Sequence, residues 1–130
     1  MTYRFAAPVV GGEMDPDGYW MEAEVSDGVH CGFSLLFQSG GEASEEDDES
    51  YWVVTSVPGR DHGCVRTAEM TGPVLRLSLD PSSLPALGLD DAEIEVMCQA
   101  PAEDIAQFRE VLARVLAHGP EEYRPARITL

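Results

Sequence analysis

Lysine is absent from this chain, and positive charge of any kind is scarce. All 8 basic residues are arginine, set against 24 Asp plus Glu, for a formal net charge of −16 over 130 residues. So little positive charge disfavours binding to nucleic acid or to an anionic membrane surface, both of which are gripped largely by Lys and Arg. Long apolar runs are missing too. No stretch approaches the ~18 continuous apolar residues of a membrane span. The first residues, MTYRFAAPVV, lack the basic start and long apolar core of an export signal, so a soluble, cytoplasmic chain is expected. Cysteine is limited to Cys31, Cys64 and Cys98, an odd number that cannot all pair within one chain, which fits reduced thiols in that compartment. Nucleophile elbow, phosphate loop and dinucleotide fingerprint are all lacking, and the glycines fall where turns are expected. Nothing in the residues argues for an enzyme.

What is present is a small acidic domain with an uneven field. Residues 1–50 carry 12 acids and only Arg4, net −11, whereas residues 51–130 carry 12 acids and 7 arginines, net −5. An acidic surface attracts basic partners and speeds their encounter. The length suits one domain over residues 1–130, with a core expected over 3–117 and a tail over 118–130. Such a chain can bury roughly two-thirds of the surface its unfolded form exposes.

The clearest periodicities lie between Cys64 and Leu116. Leu75, Leu77 and Leu79 alternate with Arg76 and Ser78, and Ile94, Val96 and Cys98 alternate with Glu95 and Met97, the period-2 pattern of strands with one buried face. Ile105, Phe108, Leu112, Val115 and Leu116 then recur at steps of three and four, an amphipathic helix starting at Pro101. Glu110 and Arg114 are spaced to pair along it, and Gly119-Pro120 stops it. Asp80 is placed to cap a short helical turn, with Pro81 at its first position and Gly88 at its exit. Upstream, a first strand is expected from Tyr3 to Val9, closed by Gly11-Gly12. A second is expected over Tyr19 to Val25, with Tyr19, Met21, Ala23 and Val25 on one face. Asp27-Gly28 signals a tight hairpin into a third strand over Val29 to Phe37. Tyr51 to Val57 is β-branched and aromatic and reads as a further strand, GRDHG after it as a loop, and Cys64 to Glu69 as the next strand. Arg127 to Leu130 is either an edge strand or disordered. The fold class is α+β: a mostly antiparallel sheet of about seven strands, a short helical turn, and one C-terminal amphipathic helix packed on the sheet.

Two features stand out as candidate binding elements. Trp20 falls on the solvent face of its strand beside Glu22 and Glu24, and exposed Trp is enriched among residues that dominate interface energy; the plainer reading has the next element covering it. Between Gln38 and Tyr51 runs SGGEASEEDDES, where Glu42, Glu45, Glu46, Asp47, Asp48 and Glu49 bring six carboxylates and no basic residue. Such a run reads either as a surface that mimics a phosphate backbone toward a basic partner or as a solvated insertion. Trp52 follows the run directly. His30-Cys31 and His62-x-Cys64 invite a zinc or thiol reading, but adjacent strand residues point to opposite faces, and Cys98 sits on a strand that reads as core. His118 at the helix end is explained by the dipole. Asp47-Asp48 and Asp90-Asp91 lack the surroundings of a calcium loop or hydrolase. No metal, cofactor or catalytic residue is therefore expected. The alternative is a small cytosolic zinc- or thiol-dependent enzyme using His62 and Cys64, with His30 as a further ligand.

At VLRLSLDPSSLPALGLDDAEIEV (Val74 to Val96) and the helix bearing Phe108, Arg109, Leu112 and Val115, the chain resembles the tenth immunity-protein family of bacterial polymorphic toxin systems. Phe37-Gln38 opening a polar loop, Tyr51-Trp52 resuming a strand and Gly63-Cys64-Val65 leading into the next extend the likeness upstream. It departs at Ser39, where a basic residue often follows the Gln, in the carboxylate run, and beyond Ala117. The resemblance implies a mostly β, non-catalytic protein that binds a cognate secreted toxin and blocks it by bulk and charge. The expected partner is a basic toxin domain, and the phosphate-like run suggests a nuclease. Glu42 to Glu49, Trp20 and Trp52 are the expected contacts, and the protein itself is expected as a monomer or a homodimer joined at a sheet edge.

Overall fold

A computed structural model describes residues 2–28, 32–41 and 50–130 of the chain. Within them ten strands form two five-stranded sheets. The first sheet has the order β1 (Thr2–Ala7), β9 (Glu93–Cys98), β8 (Val74–Leu79), β7 (Val65–Thr71), β10 (Arg127–Thr129). The second is β2 (Val9–Met14), β3 (Trp20–Ser26), β4 (Ser34–Gly40), β5 (Trp52–Thr55), β6 (Gly59–His62), a simple meander. Pairing is antiparallel except between β1 and β9 and between β7 and β10. A short helix, α1 (Leu84–Leu87), joins β8 to β9, and α2 (Ala102–Leu116) lies against β2, β3 and β4. No helix among the described residues is long and apolar enough to cross a membrane.

The α+β class and the C-terminal helix on a sheet agree with the sequence, but a single sheet of about seven strands is corrected to two sheets and ten strands. The three extra strands have identifiable causes. The expected Tyr3–Val9 strand divides at Pro8, which has no N–H to give a ladder; Ala7 ends in one sheet and Val9 begins in the other. Gly11 and Gly12 do not close the strand but lie inside β2. The polar GRDHG segment is not a loop: Gly59 to His62 pairs with β5 as an edge strand, where side chains need not be apolar. Arg127 to Thr129 forms the opposite edge of the first sheet.

Two further corrections concern turns. Ser26 pairs with Ser34, so the connection after Asp27-Gly28 is wider than a two-residue hairpin, and β4 starts at Ser34 rather than Val29. Asp27 ties that connection, its side chain accepting from the Phe33 N–H at 2.8 Å. Tyr19 precedes β3 and is exposed, its N–H donating to Asp15 Oδ2 at 3.1 Å. The expected third-strand residues Val29 to Cys31, including His30, and the carboxylate run Glu42 to Glu49 lie outside the described residues.

One continuous apolar cluster takes side chains from both sheets and from α2. Met21, Ala23, Val25, Leu35, Phe37 and Val53 come from the second sheet, and Leu75, Leu77, Leu79, Ile94, Val96 and Cys98 from the first. The helix adds Phe108, Val111, Leu112, Val115 and Leu116, all fully buried. Each such large side chain contributes on the order of 1.5–3 kcal/mol. The Asp80 cap is present, accepting from the Ser82 N–H at 3.0 Å, and Gly88 ends α1 at φ 71°. Burying one face of each sheet this way leaves two outer faces.

Candidate functional site: the outer face of the second sheet

The two outer faces differ in how their charges are matched. Across the first sheet, strand register sets Arg4, Glu95, Arg76 and Glu69 side by side. Arg4 bonds Glu95 at 2.6 Å, Arg76 reaches the same carboxylate at 3.2 Å, and Arg127 approaches Glu69 at 3.6 Å. Glu93 accepts from Ser78 Oγ at 2.9 Å. Alternating charge leaves this face with its carboxylates matched from within, and the Arg4 hydrogen bond is the main cause holding the Glu95 carboxyl below its usual range.

The second sheet's outer face is not matched. Register places Glu13, Glu22, Gln38, Trp52 and His62 in one row across β2 to β6, and Gly11, Glu24, Leu36, Val54 and Arg60 in the next. Glu13 and Glu22 stand directly opposite one another, an arrangement that opposes folding rather than helping it. Gln38 Nε2 donates to Glu22 at 3.3 Å, and the first arginine on the face is Arg60, three strands away from β3. The row thus grades from acidic at β2–β3, through half-buried Leu36, Val54 and Trp52, to the cationic edge at β6. Beside the carboxylates the glycine-bearing strand β2 leaves a depression of about 260 Å³ bordered by Val9, Gly11, Glu13, Glu22, Glu24 and Leu36.

Trp20 and Trp52 share one end of this face. Trp20 opposes Gly40 and is 42 % exposed; Trp52 opposes Gln38 on the other side of β4 and is half-buried. Trp52 is held in place by its neighbours, with the Arg60 guanidinium 5.3 Å from its ring centre and the His62 ring at 5.3 Å. His62 in turn meets Tyr123 of the tail at 5.4 Å and takes a 3.1 Å contact from Ser50 Oγ to Nδ1. The carboxylate run Glu42 to Glu49 is itself outside the described residues, but its flanks are placed. Gly41 is buried against the Gly18 backbone, with no room for a Cβ, and Ser50 is buried beside His62. The chain therefore leaves and rejoins the sheet at the end that carries both tryptophans.

Several residues of this face escaped the sequence reading. Glu13 was hidden because Gly11-Gly12 reads as a stop, and Arg60 and His62 because their segment reads as a loop. Trp20, Glu22 and Glu24 were legible, from their alternation with Met21, Ala23 and Val25, and Trp52 was singled out as the aromatic that follows the carboxylate run.

Among the described residues the zinc or thiol alternative finds no assembled site, and His30 lies outside them. Cys64 is 2 % exposed in the core, and burial, reinforced by the negative charge of Asp61, pushes its thiol up to about 12, so it holds no thiolate near neutral pH. His62 lies on the exposed edge with its ring among Trp52 and Tyr123. Among the described residues no group of three or more His, Cys, Asp or Glu side chains is placed to hold a metal ion.

Residues 6–106 match the profile of a protein family described as Immunity protein 10 (Imm10). No match was found among curated proteins or among solved structures.

Proposed function

The chain belongs to the immunity protein 10 family, and from that premise we propose that it is a non-catalytic inhibitor which docks a cognate toxin domain on the outer face of its second sheet. The observation that carries this reading is the uncompensated row Glu13, Glu22, Gln38, Trp52, His62, set against a first sheet whose carboxylates are matched internally. Like charges held side by side at a net cost to folding gain a role when a basic partner neutralises them.

Division of labour follows from physical chemistry. The carboxylates of the face, together with the Glu42–Glu49 run tethered at its tryptophan end, steer a basic toxin domain toward it. Charge complementarity of this kind raises association rates toward ~10⁸–10⁹ M⁻¹s⁻¹ at low salt. Aromatic side chains then hold the complex, since buried Trp anchors are each worth on the order of 2 kcal/mol or more. A nuclease suits the arrangement, because a groove built for phosphates accepts carboxylates in their place. Bulk over that groove is sufficient for inhibition, and no bond to the toxin needs to form or break.

Size supplies a further constraint. Five strands spaced ~4.8 Å apart and ~20 Å long give a footprint of roughly 450 Å². A stable complex buries about 800 Å² on each partner. The flat of the sheet is therefore the centre of the interface, and flanking segments must complete it.

The test is joint production with its cognate toxin domain, sought in the adjacent gene. Relief of growth arrest and recovery of a 1:1 complex are expected. Persistent arrest with no complex contradicts the reading.

A further inference from the structure

At the end of the second sheet opposite the tryptophans, three rings meet where the two sheets approach. Tyr3 lies 4.9 Å from Phe33, Phe5 lies 5.0 Å from Phe33, and Tyr3 and Phe5 are 5.8 Å apart. None of the three belongs to the fully buried core; Tyr3 is 39 % exposed, and neighbouring Val57 is 50 % exposed. Tyr3, Phe33, Val57 and Leu89 wall a cleft of about 170 Å³ with Ile94 at its base, and Asp90 and Asp91 complete its lining. A cleft of this size falls short of the ~300–1,000 Å³ that metabolite-sized ligands occupy, and suits one inserted side chain.

The two carboxylates identify which side chain. Glu93, Glu95, Glu69 and Asp80 on the first sheet's side each have a hydrogen-bonding or ionic partner. Asp90 and Asp91, by contrast, make no side-chain hydrogen bond or ion pair among the described residues. Aromatic walls beside two free carboxylates match a planar cation on an apolar stem. A guanidinium stacks on ring faces and bonds carboxylate oxygens in pairs, whereas an ammonium is a compact, strongly hydrated charge with no plane to stack. An anionic group is repelled, and an uncharged apolar group would strip water from the carboxylates without replacing it.

We propose that the cleft formed by Tyr3, Phe33, Val57 and Leu89 with Asp90 and Asp91 receives an arginine side chain of the partner protein. This rests on the reading of the chain as an inhibitor of a basic toxin domain. It gives that interface a second anchor at the far end of the sheet, of the kind the footprint requires. Charge complementarity selects the partner over a second copy of this chain, which carries a net charge of −16.

The experiment needs no toxin. The full-length chain, isotope-labelled, is titrated with N-acetylarginine amide and, separately, with N-acetylcitrulline amide, its uncharged isostere, while NMR follows the Tyr3 and Phe33 rings and the Ile94 methyls. Saturable shifts are expected with the arginine compound, at least roughly tenfold weaker binding with citrulline, and a similar loss in the D90N/D91N variant. Both aspartates lie on the surface side of the cleft, and a preserved spectrum elsewhere shows that the variant is folded. Absence of shifts, or equal responses to arginine and citrulline, overturns the proposal. So does self-association in light scattering that D90N/D91N abolishes, because the occupant is then a second copy. Protection against the toxin is scored separately with the unsubstituted chain, so a failed arginine response leaves the inhibitor reading intact, and failed protection leaves the cleft result intact.

Discussion

Gly12 passes beneath Val111: a Cβ on Gly12 would stand 2.8 Å from the Val111 Cβ and 3.1 Å from the Gln107 carbonyl oxygen. The glycine is a spacing device for α2 rather than a turn, since its φ is not positive, unlike that of Gly28 or Gly88. Helix and strand approach so closely only because β2 lacks a side chain at this point. Gly12→Ala should therefore cost about 1–3 kcal/mol by overpacking. Gly11→Ala, one residue away on the outer face with nothing within 4 Å of the new Cβ, should stay within about 0.5 kcal/mol. Urea denaturation of the two variants checks the contrast; equal effects would show that the helix does not rest on Gly12.

Tyr51 supplies a different kind of fixture. Its ring is fully buried, and its hydroxyl accepts from the Val65 N–H at 2.9 Å while donating to the Val65 carbonyl at 3.3 Å. Val65 sits where the pairing of β7 with β8 slips out of register, so its backbone groups look to a side chain for partners. Burial pushes the phenol's ionisation upward, and it remains a donor throughout the neutral range. Tyr51→Phe keeps the ring and strands both Val65 groups, with an expected loss of about 1–3 kcal/mol. Thermal and chemical unfolding would measure it, and an unchanged midpoint would show that Val65 finds other partners.

How far these arrangements could be read from the sequence depends on how local their causes are. The α2 stripe of Phe108, Leu112, Val115 and Leu116 and the alternations at Leu75 and Ile94 were legible because burial on a helix or strand imposes a short period. The Asp80 cap and the Gly88 exit were legible because capping chemistry lies within a few residues. The division at Pro8 into two sheets was not, since which strand pairs with which is decided by contacts far along the chain. Edge strands β6 and β10 were missed or left open for a related reason: an edge needs backbone pairing but no apolar composition, so Gly59 to His62 looks like a loop. The candidate face was legible only in part. Trp20, Glu22 and Glu24 follow from alternation, but the row that joins Glu13 to His62 exists only once five strands are in register.

Glu95 gives a pH-dependent test of the first sheet. Its carboxyl is held below the usual glutamate value of about 4.3, first by the hydrogen bond from Arg4 and then by the charges of Arg4 and Arg76. A folded-state value lower than the unfolded one means that the stabilisation is complete above the ordinary value and is lost as pH falls through the lower, folded one. Arg4→Ala should move the Glu95 titration upward toward the ordinary range and flatten the acid limb of stability below about pH 4.3. Carboxyl NMR against pH reads the first effect and acid unfolding the second. A Glu95 titration unmoved by Arg4→Ala would assign the shift to Arg76 instead.

On the second sheet, charge and aromatic contacts should separate kinetically. Replacing Glu45, Glu46, Asp47 and Asp48 by Gln or Ser removes four negative charges and with them long-range attraction. Association with the toxin domain should slow by roughly tenfold or more at low salt and lose much of its salt dependence, with dissociation little changed. Trp20→Ala and Trp52→Ala should do the reverse, leaving association nearly intact and raising dissociation by roughly 30-fold for an anchor worth ~2 kcal/mol. The two tryptophans differ in what else they touch. Trp20 is the more exposed, so its variant should keep its stability, whereas Trp52 packs with Arg60 and His62 and should lose some. Unfolding measured beside binding resolves the two effects. If Trp52→Ala lowers stability while dissociation from the toxin stays unchanged, Trp52 belongs to the framework and Trp20 alone marks the docking end. If neither variant changes dissociation and the charge variants keep their association rate, the toxin does not dock on this face at all.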